Sequence, residues 1–114
     1  MDDGTQINWT GKSGETYRYD IYPIDWEPAP GQDGNFVFVK NAGRLAEAIY
    51  IGEGDLQSSK AALLAAGCVS AKGADEFHCR LGNDEAARRD EAKDLLEGNP
   101  EAYAPTGCHE KQDG

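Results

Sequence analysis

The sequence has little positive charge. Its 11 lysines and arginines stand against 21 aspartates and glutamates, which gives a formal net charge of -10 at pH 7 over 114 residues. Because nucleic-acid binding draws most of its affinity from basic side chains that neutralise phosphates, so acidic a chain is poorly suited to bind nucleic acid directly. The charge instead favours a basic protein surface as the partner.

The sequence also lacks a long apolar run. No stretch approaches the roughly 20 residues that a membrane-spanning helix requires, and the N-terminus has no basic region followed by an apolar one. Only three cysteines occur, and three cannot all pair within one chain. These absences predict a cytoplasmic chain with no membrane association, in which the cysteines are buried and reduced.

Close Cys-x-x-Cys pairs, the usual mark of a structural zinc site, are missing as well. Cysteine and histidine occur together at Cys68, His78–Cys79 and Cys108–His109. Neighbouring strand residues face opposite sides, so His78 and Cys79 would not easily share one ion. Reduced cysteines are therefore favoured over zinc, and no metal or cofactor is expected.

Two apolar runs rich in β-forming residues dominate the middle of the chain. Phe36–Val39 and Ala48–Ile51 flank a polar break that contains Asn41 and Gly43. This pattern predicts a β-hairpin. Neither run alternates strictly between apolar and polar residues, which indicates a hairpin covered on both faces.

The flanking segments carry further periodic signals. Alternation predicts an N-terminal strand pair over about 6–22. Helices are predicted at about 55–66, with Asp55 as the N-cap and Gly67 as the terminator, and at about 84–97, with Asn83 as the N-cap.

A last strand is predicted between these helices, with Phe77, Cys79 and Leu81 on one face and His78 on the other. The tail, about 101–114, has little to bury and is predicted to be mobile. The whole chain, 1–114, is expected to be one mixed α/β domain.

The order of these motifs resembles the GIY-YIG nuclease domain family. Gly34-Asn35-Phe36 stands where that family has Gly-Ile-Tyr, and Tyr50-Ile51-Gly52 matches the second motif. The Asp-Leu helix, the strand and the Asn-Asp-Glu helix follow in the same order. The resemblance covers about 34–100 and implies a small central antiparallel sheet flanked by helices, with the N-terminal hairpin added.

The resemblance also implies a site. In such nucleases two tyrosines support the attacking water, an arginine stabilises phosphate charge, and a glutamate holds a divalent metal; a later asparagine completes the site. Of these positions only Tyr50 is kept. Phe36, Ser59 and Ala92 replace the first tyrosine, the arginine and the glutamate, and no asparagine follows Pro100.

The nearest substitutes are Lys60 and Glu91, each about 100° round its helix from the required position. The domain is therefore predicted to be catalytically inactive, without metal. The alternative is a divergent endonuclease that uses Tyr50, Glu91 and Lys60 with magnesium or manganese.

Two surface features suggest how an inactive domain would bind a partner. Asp90, Asp94 and Glu97 form one stripe on the last helix, which is either ordinary surface charge or an imitation of a phosphate backbone. Trp26, in a Pro/Gly-rich connection, is either a lid on the core or an exposed anchor.

The sequence thus favours an acidic binding module. Its most concrete form is a DNA-mimicking inhibitor of a nucleic-acid-binding protein, of the phage anti-restriction or anti-CRISPR type. The endonuclease and a purely structural domain are the alternatives.

Overall fold

The structure, a computed structural model, describes residues 6–42, 45–104 and 106–109. It is a mixed α/β fold in which five antiparallel strands form one sheet in the order β1-β2-β5-β3-β4. The elements are β1 (Gln6–Thr10), β2 (Thr16–Pro23), β3 (Asp33–Ala42), β4 (Leu45–Asp55), α1 (Leu56–Ala66), α2 (Cys68–Ala71), β5 (Glu76–Leu81), α3 (Glu85–Gly98) and a 3-10 helix (Pro100–Ala102).

The predicted central hairpin is confirmed. β3 pairs with β4, with Val37 opposite Ile51, and the register shifts between Phe38 and Val39. Phe38 lies opposite Tyr50 and Val39 opposite Ala48, so Ile49 is the extra residue of a β-bulge. The bulge brings the consecutive residues Ile49 and Tyr50 to the same side of the sheet.

Both faces of the hairpin are buried, as predicted. One face, here called the α3 face, packs against α3 and has a core of Trp9, Tyr19, Val37, Val39, Ala48, Ile51, Leu95 and Ala102. The other, the α1 face, packs against α1 and α2 and has a core of Phe36, Phe38, Ile49, Leu56, Val69, Phe77 and Cys79. Each fully buried large side chain contributes about 1.5–3 kcal/mol.

The N-terminal strand pair is confirmed, but it is not a separate hairpin. β2 pairs with β5, with Ile21 opposite His78, so the pair extends the central sheet. The alternation predicted for β5 is also confirmed. Phe77 and Cys79 lie in the α1-face core, whereas His78 contacts Trp9 of the α3-face core.

Helix α1 has the predicted caps. The Asp55 side chain accepts a hydrogen bond from the Ser58 backbone N–H, and Gly67 ends the helix in the left-handed conformation at φ 89°.

The predicted cap of α3 is wrong by one residue. Asp84, not Asn83, accepts the hydrogen bond from the Ala87 backbone N–H, at 2.8 Å. The Asn83 side chain instead donates to Glu91, which is buried. Either residue type can cap a helix, and the tertiary contact decides between them.

The expectation that the tail buries little is wrong for its described part. Ala102 is buried in the α3-face core, and Cys108 packs against the α1-face core, so the chain wraps around the outer edge of β4. The rest of the predicted mobile tail lies outside the described residues. Within the described parts of the chain, no helix has the length and apolar character that a membrane span needs.

Candidate functional site

Phe36 and Tyr50, which stand at the two tyrosine positions of the nuclease resemblance, lie together on the α1 face. Their rings are stacked with centroids 6.2 Å apart. The other side of the Tyr50 ring stacks on His109 at 3.9 Å, with 8° between the planes. Burial raises the pKa of Tyr50 above its ordinary value of 10.0, so the hydroxyl stays protonated at neutral pH.

Lys60 lies on the same side of the sheet, but its amine does not face open solvent. The residue is 2% exposed, and its Nζ lies 5.9 Å from the centre of the Phe77 ring. The ion-pair partner is Glu27, at 3.9 Å. A cation fixed against an aromatic core is poorly placed to meet a phosphate.

Glu91 lies on the opposite face. Its carboxylate accepts hydrogen bonds from the Tyr19 hydroxyl at 2.5 Å, from Arg80 at 3.0 Å and from Asn83 at 3.2 Å. Burial raises the pKa of Glu91, and the bonds from Tyr19, Arg80 and Asn83 oppose that rise. The structure therefore separates Glu91 from Tyr50 and Lys60 by the sheet itself.

The residues that replace the nuclease side chains, Phe36, Ser59 and Ala92, are also divided between the α1 side and the α3 side of the sheet. Phe36 is buried in the α1-face core, and Ser59 lies beside Gly54 at the start of α1. Ala92 packs against the α3-face core. A glutamate in place of Ala92 would thus also project from α3, on the face away from Phe36 and Tyr50.

The residues around Glu91 form the densest polar group that the structure describes on the α3 face. The Arg80 guanidinium also lies 5.5 Å above the Tyr17 ring, and Tyr19 is fully buried. Burial and the Glu91 charge raise the pKa of Tyr19 far above its ordinary value, so its hydroxyl acts as a hydrogen-bond donor. With Glu91 only 3% exposed and surrounded by donors, this group serves to hold α3 on the sheet.

Buried Asn35 and partly buried Arg88 extend this layer. Asn35 donates to the Arg88 backbone carbonyl at 2.9 Å, and its Oδ1 has no hydrogen-bond partner among the described atoms. Arg88 in turn donates to Glu53 at 3.0 Å.

Sequence reasoning missed Tyr19, Arg80 and Asn83 as partners of Glu91. The alternation in β2 and β5 does place Tyr19 and Arg80 on defined faces. It does not reveal that β2 and β5 are neighbours, which only the folded sheet shows.

His78, on the central strand β5, is another buried polar residue, and it bonds to Trp9 on the edge strand β1. The Trp9 indole donates to its Nδ1 at 3.0 Å, so the proton of the neutral ring lies on Nε2, which donates to Glu76 at 2.9 Å. Burial lowers the pKa of His78 below 6.5, although Glu76 opposes this change.

The acidic stripe on α3 is interrupted by internal contacts. Asp94 accepts from the Ser13 backbone N–H at 2.9 Å, from the Ser13 hydroxyl at 2.7 Å and from Tyr17 at 2.8 Å. These bonds lower the pKa of Asp94. Asp94 thus fastens the β1–β2 turn to α3, while Asp90 and Glu97 stay exposed and have no ion pair among the described residues.

Trp26 is partly buried over the α1-face core. It stacks on Tyr22 with ring centroids 3.8 Å apart and lies 6.3 Å from Phe77. These contacts favour the lid over the exposed anchor. The neighbouring carboxylates of Asp25 and Glu27 are exposed.

The prediction that the cysteines are reduced is wrong for two of them. Cys68 and Cys108 form a disulfide, while Cys79 is free and buried, as predicted. Burial raises the pKa of the Cys79 thiol to about 12. Within the described residues, no three His, Cys, Asp or Glu side chains are grouped as metal ligands.

Comparison with protein-family models, with curated proteins and with solved structures finds no match for this chain.

Proposed function

We propose that this chain is a catalytically inactive, GIY-YIG-like domain that acts as an acidic binding module on a basic protein surface. The resemblance is supported by the order of the elements: the hairpin of β3 and β4, helix α1, strand β5 and helix α3 follow one another as the resemblance implies. The central position of β3 between β4 and β5 agrees with a hairpin core to which one more strand is added.

The observation that carries the proposal is the position of Glu91. Metal-assisted hydrolysis needs the carboxylate, the tyrosine and the cation around one reacting phosphate. Glu91 lies on the α3 face with its oxygens engaged, whereas Tyr50 and Lys60 lie on the α1 face. The alternative endonuclease would need these three groups to meet across the sheet.

The charge distribution supports binding to a basic partner. Asp90 and Glu97 are exposed on α3. Asp25, in the connection between β2 and β3, and Asp33, the first residue of β3, are exposed as well. In contrast, Arg80 and Arg88 are held in ion pairs with internal acids. Exposed acids of this kind act over about 8 Å at physiological salt and mainly accelerate association.

The most specific form of the proposal is an inhibitor that imitates DNA, of the phage anti-restriction or anti-CRISPR type. Such an inhibitor would meet its nucleic-acid-binding target in the cytoplasm and would need no metal. The cysteine argument for that location no longer holds, since disulfides are rare in the cytoplasm and Cys68 and Cys108 form one. The location therefore rests on the proposed partner alone.

The first test is cleavage. Purified protein is incubated with supercoiled plasmid, linear duplex and single strands, with magnesium or manganese. No cleavage above a buffer control is expected. Cleavage by the wild type that is lost in Tyr50→Phe or Glu91→Gln would show that the domain is an active nuclease and would contradict the proposal.

The second test is a mobility shift at low salt. On its own, the protein is expected to leave the labelled duplex unshifted. When a restriction or RNA-guided nuclease is bound to the duplex, added protein is expected to release the duplex from that nuclease. The double variant Asp90→Lys/Glu97→Lys should compete at least tenfold less well, mainly because association slows. Asp94 is unsuitable for this test because its carboxylate holds the β1–β2 turn.

The control is Glu47→Lys, at an exposed acid on β4 rather than on α3, and it is compared with the single variant Asp90→Lys, which changes the net charge by the same amount. Equal losses for these two single variants would point to net charge alone. Tight binding of the isolated protein to duplex would contradict the proposed mimicry.

A further inference from the structure

The C-terminal segment forms a strap over the edge of the sheet. The strap is defined here as the described residues from Tyr103 to His109. It leaves the 3-10 helix at Ala102, which is buried on the α3 face, and reaches Cys108, which packs on the α1 face. Between these points it crosses the outer edge of β4, the last strand of the sheet.

Few contacts hold the strap to β4. The Cys108 backbone N–H donates to the Ile49 carbonyl at 2.8 Å, and the His109 ring hydrogen-bonds the Ile51 carbonyl. The same ring covers Tyr50. Within the strap, the Ala104 N–H donates to the His109 carbonyl and the Gly107 N–H to the Tyr103 carbonyl, and the His109 N–H donates to the carbonyl of Ala102. These bonds close the strap on itself and on Ala102, and none of them reaches β4. A segment attached to the sheet by so few bonds can open locally at a free energy below that of global unfolding.

The disulfide adds a covalent tie at the end of the strap. Cys108 is bonded to Cys68, the first residue of α2, and both cysteines are partly exposed. Thiol–disulfide exchange requires that a thiolate reach one of the two sulfurs, and exposed disulfides are the labile ones. Cys79, 3% exposed and with a raised pKa, is protected from the same chemistry.

We propose that Cys68–Cys108 is a thiol–disulfide exchange site, and that its reduction by a dithiol releases the strap from β4 and uncovers Tyr50. In the first step a thiolate of the dithiol attacks one sulfur, forms a mixed disulfide and displaces the other cysteine as a thiolate. The second thiol of the reductant then closes its own disulfide and frees the remaining cysteine. Two electrons pass to the protein, and both cysteine sulfurs end as thiols.

Release is confined to the strap because the neighbouring elements have their own anchors. Ala102 is 0% exposed and fixes the start of the strap. Leu95 and Glu91 fix α3, and β5 is paired on both sides, with β2 and with β3. Reduction therefore frees the Ile49 and Ile51 carbonyls at the sheet edge without dismantling the sheet. This inference holds whether or not the chain binds a basic partner.

The test is hydrogen exchange by mass spectrometry on the full chain, with and without dithiothreitol. Peptides from the strap are expected to exchange at least tenfold faster after reduction. Peptides from α3 and from β1–β2 should change less than twofold. Iodoacetamide should label two cysteines, Cys68 and Cys108, and leave Cys79 unmodified.

Tyrosine nitration gives a second measurement. Tyr50 should become several-fold more reactive on reduction, whereas Tyr19, fully buried on the other face, should not change. Cys79→Ser is the matched variant and should behave as the wild type does in both states. Cys108→Ser should resemble the reduced protein without any reductant, and if it does not fold, the wild type under dithiothreitol still decides the question.

Three results would overturn the proposal. An unchanged strap after complete reduction would mean that the other contacts suffice. Faster exchange in every peptide would mean that the disulfide holds the whole fold together. Resistance to dithiothreitol under native conditions would mean that the sulfurs are not reachable.

Discussion

At the scale of single residues, the two histidines make stability depend on pH near neutrality. Burial lowers the pKa of both His78 and His109 below 6.5. A group with a lowered folded pKa stabilises the fold above its unfolded pKa, and that stabilisation is lost as the pH falls through the folded value. The free energy of unfolding should therefore be lower at pH 5.5 than at pH 8, by at most about 1.36 kcal/mol per pH unit for each proton taken up.

Urea unfolding at the two pH values measures this change. His78→Gln and His109→Gln should each flatten the pH dependence. Glu91 acts in the opposite sense, because its raised pKa lowers stability as the pH rises through that value. If neither histidine variant changes the slope of the unfolding free energy against pH, other titrating groups cause the pH dependence.

The buried amine of Lys60 leads to a second residue-scale prediction. Its ion pair is long, at 3.9 Å, and Glu27 is 78% exposed, so the pair offsets little of the desolvation of the amine. Lys60→Met should leave the free energy of unfolding within about 1 kcal/mol of the wild type or raise it. Lys60→Ala, which leaves a cavity beside Phe77, should cost about 2–3 kcal/mol.

Lys93→Met is the control for this comparison, because it changes an exposed residue on α3 and should stay within about 0.5 kcal/mol. A loss above about 2 kcal/mol in Lys60→Met would show that the amine has a role beyond packing.

At the scale of elements, the start of α3 distinguishes two adjacent residues. Asp84→Asn should be nearly neutral since both side chains cap helices, whereas Asp84→Ala should cost about 1 kcal/mol. Asn83→Asp should cost about 1–3 kcal/mol, because it replaces a donor to the buried Glu91 carboxylate with a second carboxylate. Thermal unfolding of the three variants checks this order. The reverse order for Asp84→Asn and Asn83→Asp would make Asn83 the cap.

The elements that the sequence predicts well are those defined by neighbours along the chain. The alternation from Phe77 to Cys79, the cap at Asp55 and the glycine terminator at Gly67 each depend on a few adjacent residues. The bounds of α1 and β5 follow from them. The pairing of β2 with β5 and the bond between Cys68 and Cys108 join distant segments, and no local pattern specifies them.

The candidate site was only partly predictable for a related reason. Phe36 and Val37 point to opposite faces, yet both are apolar and buried, so polarity does not show which face carries Tyr50. The bulge at Ile49 then shifts the alternation by one residue. Lys60 and Glu91 were identified by counting along helices, which fixes their direction relative to the helix axis but not to the sheet.

At the scale of the whole molecule, the charge of -10 predicts a response to salt. At about 0.01 M salt the screening length is about 30 Å, comparable to the extents of 41 × 30 × 28 Å, so the acids repel one another across the molecule. At about 0.1 M it shortens to about 10 Å. The melting temperature should therefore rise between these concentrations, as measured by circular dichroism with sodium chloride. A fall would mean that ion pairs such as Arg88–Glu53 outweigh the repulsion.

The disulfide also sets how the molecule would respond to a stretching force. Cys68 and Cys108 are separated by 40 residues, a segment that includes α2, β5 and α3. Pulled from its two ends, the oxidised chain transmits load directly from α2 to the strap, and the enclosed segment cannot extend. Cleavage of the bond would release about 130–145 Å of additional contour length, at about 3.3–3.6 Å per residue. More than a third of the chain therefore bears no load and cannot extend until a reductant cleaves the Cys68–Cys108 bond.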